Sequence, residues 1–316
     1  MTFFAAFHTM IGMDLDSIYQ YDLCFAWNWE YDADFAYLMV EASERNGLSL
    51  LQVTPTNLAE VVRALNVGEF YFRSFFDRAS DSDTGFMPLV RWAKEHALPY
   101  INRYDQARQA INKASCHLDF ITAGLNTPYT IILPSFQEQA EIDYVDLSPL
   151  GSQFAIKPSR GGGGDGVILE ATSWEQVLAA RQQFADDHYL LQAHISPVSL
   201  NERQAWFRVI GCVGEIYPFW WDTRTHIYAP VTEEEELLHG LQPLRDISRK
   251  IWEMSRLELF STEIAYTEEG LFVVVDYIND PIDLRLQSKA KDGIPDHMVA
   301  EVAGKLVVYV KGIIKI

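Results

Sequence analysis

Phe154-Ala-Ile-Lys-Pro-Ser-Arg-Gly-Gly-Gly-Gly-Asp-Gly-Val167 delivers a lysine from an apolar strand straight into a loop with five glycines. Glycine lets backbone N–H groups approach an oxyanion and adopt positive φ, and Lys157 sets a compact cation beside them, so the stretch reads as a phosphate cradle. A flexible linker would be flanked by polar, low-complexity sequence, whereas this loop lies between two strand-like runs, Phe154-Ala-Ile and Val167-Ile-Leu. No Gly-Lys-Ser/Thr follows the glycines, which excludes a P-loop, and no helical pattern begins there, which excludes a dinucleotide fingerprint.

Around this loop the composition is that of a globular chain: 316 residues, 48% hydrophobic and 22% charged, enough for two or three compact units. A formal net charge of -19 argues against nucleic acid or an anionic membrane as partner, because both need clustered Lys and Arg, and it makes any phosphate site local. Cys24, Cys116 and Cys212 are widely spaced, without CxxC or Cys/His ligand spacing, so neither a disulfide framework nor zinc is expected, and a reducing cytoplasm is the expected setting. No basic leader is seen, and no apolar run approaches about 18 residues, so neither signal peptide nor membrane span is expected.

The first hundred residues alternate strand-like and helix-like runs, which predicts an α/β unit with a largely parallel sheet. Tyr21 to Trp27 reads as a strand, Asp32 to Asn46 as a helix closed by Gly47, and Leu48 to Val53 as a second strand. Thr56-Asn-Leu-Ala-Glu caps another helix, Glu69 to Arg73 reads as a third strand, and Phe86 to His96 as a third helix before Pro99-Tyr-Ile. Asp105 to Gly124 reads as one helix, with Ala110, Ile111, Ala114, Leu118 and Ile121 at helical spacing. Beyond the glycine loop, Ser173 to Phe184 reads as a helix. Strands are expected at Tyr189 to Gln192, Trp206 to Ile210, Glu215 to Trp220, Thr262 to Tyr266 and Leu271 to Ile278, in an antiparallel sheet.

Taken in order, five pieces resemble the ATP-grasp superfamily over roughly residues 100 to 285. Asn112-Lys113 with Ala123-Gly-Leu-Asn-Thr-Pro-Tyr-Thr130 resembles its lysine-bearing helix and the turn that follows. Ile156-Lys157-Pro158 with the glycines resembles its second nucleotide lysine and phosphate lid, and Leu190-Leu-Gln-Ala-His-Ile195 its adenine-facing hinge. Phe207-Arg208-Val209-Ile210-Gly211 resembles its Arg-Val strand. Thr262-Glu263-Ile264 and Val274-Val-Asp-Tyr-Ile-Asn-Asp-Pro281 resemble its two acidic, magnesium-holding strands. The resemblance implies an α/β and α+β chain: an N-terminal Rossmann-like domain over 1–104 and an ATP-grasp domain over 105–316. The latter divides into 105–190, with lysine helix and glycine lid, and 191–316, with hinge, metal strands and a C-terminal helix.

The resemblance also implies a carboxylate–amine ligase, similar to ribosomal-protein glutamate ligase and D-alanine:D-alanine ligase. ATP and Mg²⁺ are then the cofactors, and a small-molecule or peptide carboxylate and an amine the substrates; a homo-oligomer is compatible with it. The nucleotide would be held by Lys113, Lys157, Gly161, Gly162, Gly163, Gly164, Gly166 and the hinge Gln192, Ala193, His194 and Ile195. The metal would be held by Glu263, Asp276 and Asn279, and the reacting groups served by Arg208, Lys157 and Arg285. A kinase acting on a small-molecule hydroxyl, or a non-catalytic nucleotide-binding protein, stays open as an alternative.

The residues make their own physical demands. A site for a polyanion in an acidic chain must supply cations, and Lys157 follows a strand where an unpaired charge is costly. An outward-facing carboxylate explains Glu263 as well as a metal ligand does, until Asp276 is paired with it. The family's Glu-x-Asn is here Asp276-Tyr-Ile-Asn279, one residue longer. In a regular strand these two side chains face opposite ways, so either a bulge restores their convergence or Asp280 replaces Asn279. Asp165 inside the glycine loop is repelled by phosphate unless it faces solvent or metal. Arg208, among apolar neighbours, calls for an anion, with a surface ion pair as the alternative. Trp220 to Tyr228 has the aromatic and cationic mix of a substrate-facing loop, and Glu233 to Glu236 is a helix start favoured by the dipole.

Overall fold

A computed structural model describes residues 19–161 and 163–314. The chain folds as two compact units, one reaching to Ile101 and taking in Ala303 onward, the other Asn102–Val302.

The first unit holds β1 (Tyr19–Tyr21), β2 (Leu23–Trp27), α1 (Ala33–Asn46), β3 (Leu50–Val53), α2 (Leu58–Asn66), β4 (Phe70–Phe72), β5 (Phe75–Arg78), α3 (Met87–Glu95) and β6 (Tyr100–Ile101). Its sheet is parallel throughout, in the order β3-β2-β5-β6. The βα alternation dictates this, since parallel neighbours need a crossover. Gly47 closes α1 at φ 69°, the left-handed conformation that glycine adopts without strain. The third strand differs from the reading of the sequence: β4 pairs with β1 in a small ribbon, and the sheet takes β5 instead. Phe75 and Phe76 are both buried, as expected of a strand covered on two faces, whereas Tyr71 of β4 is exposed. Phe25 stacks on Phe76 at 4.9 Å and meets Phe35 edge-on at 6.0 Å, so each ring adds about 1.5–3 kcal/mol of burial to this core.

The second unit opens with α4 (Tyr104–Ala110) and α5 (Lys113–Thr122), where the sequence predicted one helix. The break falls at Asn112, whose side chain accepts from the Ser115 N–H at 3.1 Å and from the Ser159 hydroxyl at 2.8 Å. Asparagine is a poor interior residue and a strong N-cap, so its capping bond outweighs the apolar periodicity across it. The buried face of α5 is correspondingly Cys116, His117 and Phe120, while Leu118 and Ile121 are exposed.

Then come β7 (Thr130–Leu133), β8 (Phe154–Pro158), β9 (Ile168–Ala171), α6 (Trp174–Gln183) and β10 (Tyr189–Ala193), which form a sheet in the order β7-β10-β8-β9. After the ribbon β11 (Ser199–Leu200) and β12 (Arg203–Gln204) come β13 (Trp206–Cys212), β14 (Glu215–Trp221) and β15 (Tyr228–Pro230). These are followed by α7 (Glu233–His239), α8 (Pro243–Ser255), β16 (Leu259–Tyr266) and β17 (Phe272–Asn279). The large sheet is antiparallel, ordered β15-β14-β13-β16-β17, with α8 against β13 and β14. Its core joins Phe207, Val209, Phe260, Ile264 and Val274 to Phe120 of α5. Finally α9 spans Asp296–Ile313. Its Lys311 donates to the Asn46 carbonyl at 2.6 Å, capping α1 within the first unit. No helix among the described residues is long and apolar enough to cross a membrane.

Candidate active site

Lys113 stands at the first position of α5 because Asn112 caps that helix, and the Ser159 carbonyl accepts from the Lys113 N–H at 2.8 Å. This ties the helix start to the chain leaving β8, and Lys113 Nζ donates to the Gly161 carbonyl at 2.7 Å. Beyond it Gly161, Gly163, Gly164 and Gly166 all have positive φ, which frees their N–H groups from any regular ladder. A Cβ on Gly166 would lie 2.4 Å from the Phe184 ring, so the loop returns to β9 by a path open to glycine alone. Asp165 is exposed, which removes the conflict with phosphate. Gly162 lies outside the described residues.

Lys157 is carried by β8, opposite Leu190 of β10. Its Nζ donates to Gln192 Oε1 at 2.7 Å, with the Val275 carbonyl at 3.5 Å. Burial lowers its pKa, while Asp276 and Glu263 act to keep it charged. On β10 and just beyond it, Gln192 is buried, Ala193 donates its N–H to the Tyr129 carbonyl at 2.9 Å, and His194 is exposed beside partly buried Ile195.

On the large sheet, Arg208 of β13 pairs with Glu263 of β16, which pairs with Asp276 of β17. Arg208 Nη1 lies 3.3 Å from Glu263 Oε1, and Trp206 Nε1 donates to Glu263 Oε2 at 3.0 Å. The Arg208 guanidinium sits 5.0 Å above the Trp221 ring, which stacks on His226 at 5.2 Å, so the aromatic loop lies beside the acidic strands. Burial, reinforced by Asp276, raises the pKa of Glu263 above the usual carboxylate range in spite of Arg208. Burial acts the same way on Asp276, but Lys157, Lys113, the Asn279 amide and Arg208 outweigh it, and its pKa is lowered. One carboxylate is thus held ionised by the lysines, beside a neighbour that burial disfavours as an anion.

The spacing from Asp276 to Asn279 is resolved by a bulge. Ser261 pairs with Asn279, Glu263 with Asp276 and Ile264 with Val274, so β17 carries an extra residue on each side of Asp276. Asn279 Nδ2 consequently donates to Asp276 Oδ2 at 3.0 Å, and the Thr262 hydroxyl donates to the Asp276 carbonyl at 3.0 Å. The other bulge leaves Val275 out of the ladder, with its carbonyl toward Lys157. Asp280 instead accepts from Asn102 Nδ2 at 2.8 Å.

Lys113, Lys157, Arg208, Glu263, Asp276 and Asn279 are therefore brought together. Arg285 is held by two aspartates: Asp283 at 2.6 Å and Asp292 at 2.9 Å flank its Nη2. Among the described residues no three His, Cys, Asp or Glu side chains gather to hold a metal by themselves. Two carboxylates and an amide oxygen nevertheless match what Mg²⁺ takes from a protein when phosphate oxygens and water complete its shell. Two residues escaped the sequence reading. Trp206 shares the sheet face of Arg208, and its indole N–H needed an acceptor; Tyr277 sits in an apolar strand, where a buried hydroxyl calls for a partner.

No protein-family model matches the chain, and no curated protein matches it. The solved structures do. A RimK-domain ATP-grasp protein from Sphaerobacter thermophilus is 19% identical, over 91% of this chain and 98% of its own, with a TM-score of 0.62. The D-alanine–D-alanine ligase from Bacillus anthracis, solved with ATP, is 12% identical over 94% and 97%, with a TM-score of 0.63. The ATP-grasp ligase PsnB, solved with a minimal precursor, Mg and ADP, is 10% identical over 93% and 99%, with a TM-score of 0.62. The chain has the ATP-grasp fold, as its motifs lead one to expect.

Proposed function

We propose that the protein is an ATP-dependent ligase that activates a carboxylate as an acyl phosphate and joins it to an amine. The observation that carries this reading is the convergence of Lys113 and Lys157 with Glu263, Asp276 and Asn279, at the mouth of a glycine loop. Each group has work that fits its chemistry. Lys113 and Lys157 would meet the nucleotide phosphates, with the loop N–H groups around them. Glu263, Asp276 and the Asn279 Oδ1 would hold Mg²⁺, which neutralises phosphate charge when bound. The hinge from Gln192 to Ile195 would take the adenine.

Arg208 would orient the acceptor carboxylate. It is paired with Glu263 and also lies over Trp221 of the aromatic loop, and a guanidinium grips a carboxylate bidentately. Arg285, which donates from Nε and Nη2 to Asp283 and from Nη2 to Asp292, would be the second cation for an anionic substrate group. In the reaction, a carboxylate oxygen takes the γ-phosphoryl group and ADP leaves; the amine then attacks the carbonyl carbon and phosphate departs. No protein nucleophile is required, and positioning and charge neutralisation supply most of the rate.

The similar proteins favour a ligase, and the precursor bound to PsnB suggests peptides as well as small molecules among the substrates. Cys24, Cys116 and Cys212 are all buried and free, which suits a cytoplasmic setting. The test is ADP release with pooled carboxylates and amines, with hydroxylamine present to trap an acyl phosphate as a hydroxamate. ADP formation with a phosphate ester and no hydroxamate would replace the ligase by a kinase.

A further inference from the structure

Lys157 Nζ meets Gln192 Oε1 at 2.7 Å. An ammonium can only donate, so Gln192 must turn its oxygen toward Lys157 and its amide nitrogen away. That nitrogen has two hydrogens and finds two acceptors, the Tyr277 hydroxyl at 3.0 Å and the Thr130 hydroxyl at 3.4 Å. Having accepted from Gln192, the Tyr277 hydroxyl has one proton to give, and His117 Nδ1 lies 2.6 Å away. Giving that proton to His117 makes Nδ1 the acceptor and puts the ring proton on Nε2, the tautomer we assign here. Every bond runs in the same sense from ammonium to imidazole, so the charge on Lys157 dictates the direction of the chain.

The placement of this chain gives it a use. Gln192, Tyr277 and His117 are 2%, 2% and 4% exposed, so water is a poor substitute for any member. His117 lies one helical turn beyond Lys113, and Tyr277 directly follows Asp276; the chain thus ties together the elements that carry the phosphate and metal groups. Lys157 is also attracted by Asp276 and Glu263. A lysine with no other partner would settle onto those carboxylates and cancel them.

Resting on the ATP-binding reading above, we propose that Gln192, Tyr277 and His117 are positioning residues that hold the Lys157 ammonium toward the nucleotide phosphates and off the carboxylates of Asp276 and Glu263. Calorimetric titration of the full chain with Mg-ATP tests this. Tyr277→Phe keeps the ring against Phe120 and removes the hydroxyl. It should weaken ATP binding by roughly tenfold while leaving the thermal midpoint within a few degrees, and should have no further effect in a Lys157→Ala background. An equal loss in both backgrounds would reveal a merely structural role and overturn the proposal.

His117→Asn offers an acceptor near the Nδ1 position and should recover most of the affinity lost in His117→Leu. Equal losses in these two variants would also overturn the relay, and this pair decides the matter if Tyr277→Phe does not fold. Wild-type protein that binds no Mg-ATP removes the ATP reading itself. Wild-type binding matched by an unchanged Tyr277→Phe removes the relay alone.

Discussion

Two ladders of the same sheet are built on opposite plans. The β13–β14 ladder runs in unbroken register from Phe207–Trp220 to Cys212–Glu215. The β16–β17 ladder carries two register shifts within a few residues and gathers Glu263, Asp276 and Asn279 there. In the regular ladder side chains alternate between two faces that are both largely covered, with Val209 to Cys212 and Pro218 to Trp221 buried in unbroken runs, and its stability comes from that burial. Alternation also forbids residues 276 and 279 from facing the same side. The bulged ladder gives up hydrogen-bonded pairs to gain that convergence, and the Thr262 hydroxyl caps one carbonyl the distortion displaces. Irregularity is concentrated where charge is gathered, and regularity where area is buried.

The strongest way to break this comparison is Asp276→Asn. The swap keeps the shape and removes the carboxylate that the lysines hold ionised, so turnover should fall on the order of 10²–10³-fold while ATP binding changes far less. Steady-state kinetics with a magnesium titration measures it. Activity that persists with ordinary magnesium dependence would place the metal ligands elsewhere.

Arg208 joins the two plans, since it is carried by the regular strand β13 and bonded to Glu263 in the irregular region. Arg208→Ala should reduce transfer by about 10²-fold with little change in ATP affinity, and Arg208→Lys should recover only part of that, because an ammonium lacks the guanidinium fork. A loss confined to ATP affinity would assign Arg208 to the nucleotide rather than to the acceptor.

The complementary experiment disturbs the regular ladder. A Cβ on Gly211 would lie 2.3 Å from the Phe260 ring, inside a packed core. Gly211→Ala should therefore cost about 1–3 kcal/mol in denaturant unfolding, with turnover per folded molecule unchanged. A large change in turnover without a change in stability would erase the distinction between the ladders.

What the sequence discloses follows the same division. The glycine loop, its lysine and the strands on either side are legible because local composition alone requires them: glycine for positive φ, apolar residues for a buried strand. The antiparallel strands were legible for the same reason. The break at Asn112 was not, because its capping partners include Ser159, distant in the chain. Nor could periodicity separate Leu118 from Phe120 as the buried face of α5, since both are apolar and the choice depends on what packs there. The Asp276–Asn279 spacing announced an irregularity, yet only register with β16 decides between a bulge and Asp280. Arg285 is expected beside the reacting groups from its place after the acidic strand, and its pairing with Asp292 was not legible because that residue lies seven positions on in a stretch without periodicity.

The smallest expected effect sharpens the contrast through pH. Burial lowers the pKa of His117, so the folded state favours the neutral imidazole that accepts from Tyr277. A base with a depressed folded pKa contributes stability that is present above its unfolded value, about 6.5, and lost as pH falls through the folded one. Between those two values the unfolded chain binds the proton and the folded chain does not, so the wild type should lose stability on acidification. His117→Asn has no titrating ring, so its urea midpoint should fall less than that of the wild type over the pH range just below 6.5. Taking the difference between the two curves cancels the carboxylates and the remaining histidines, which both proteins share. Parallel curves would mean that His117 titrates alike in the folded and unfolded chains, contrary to its burial against Tyr277.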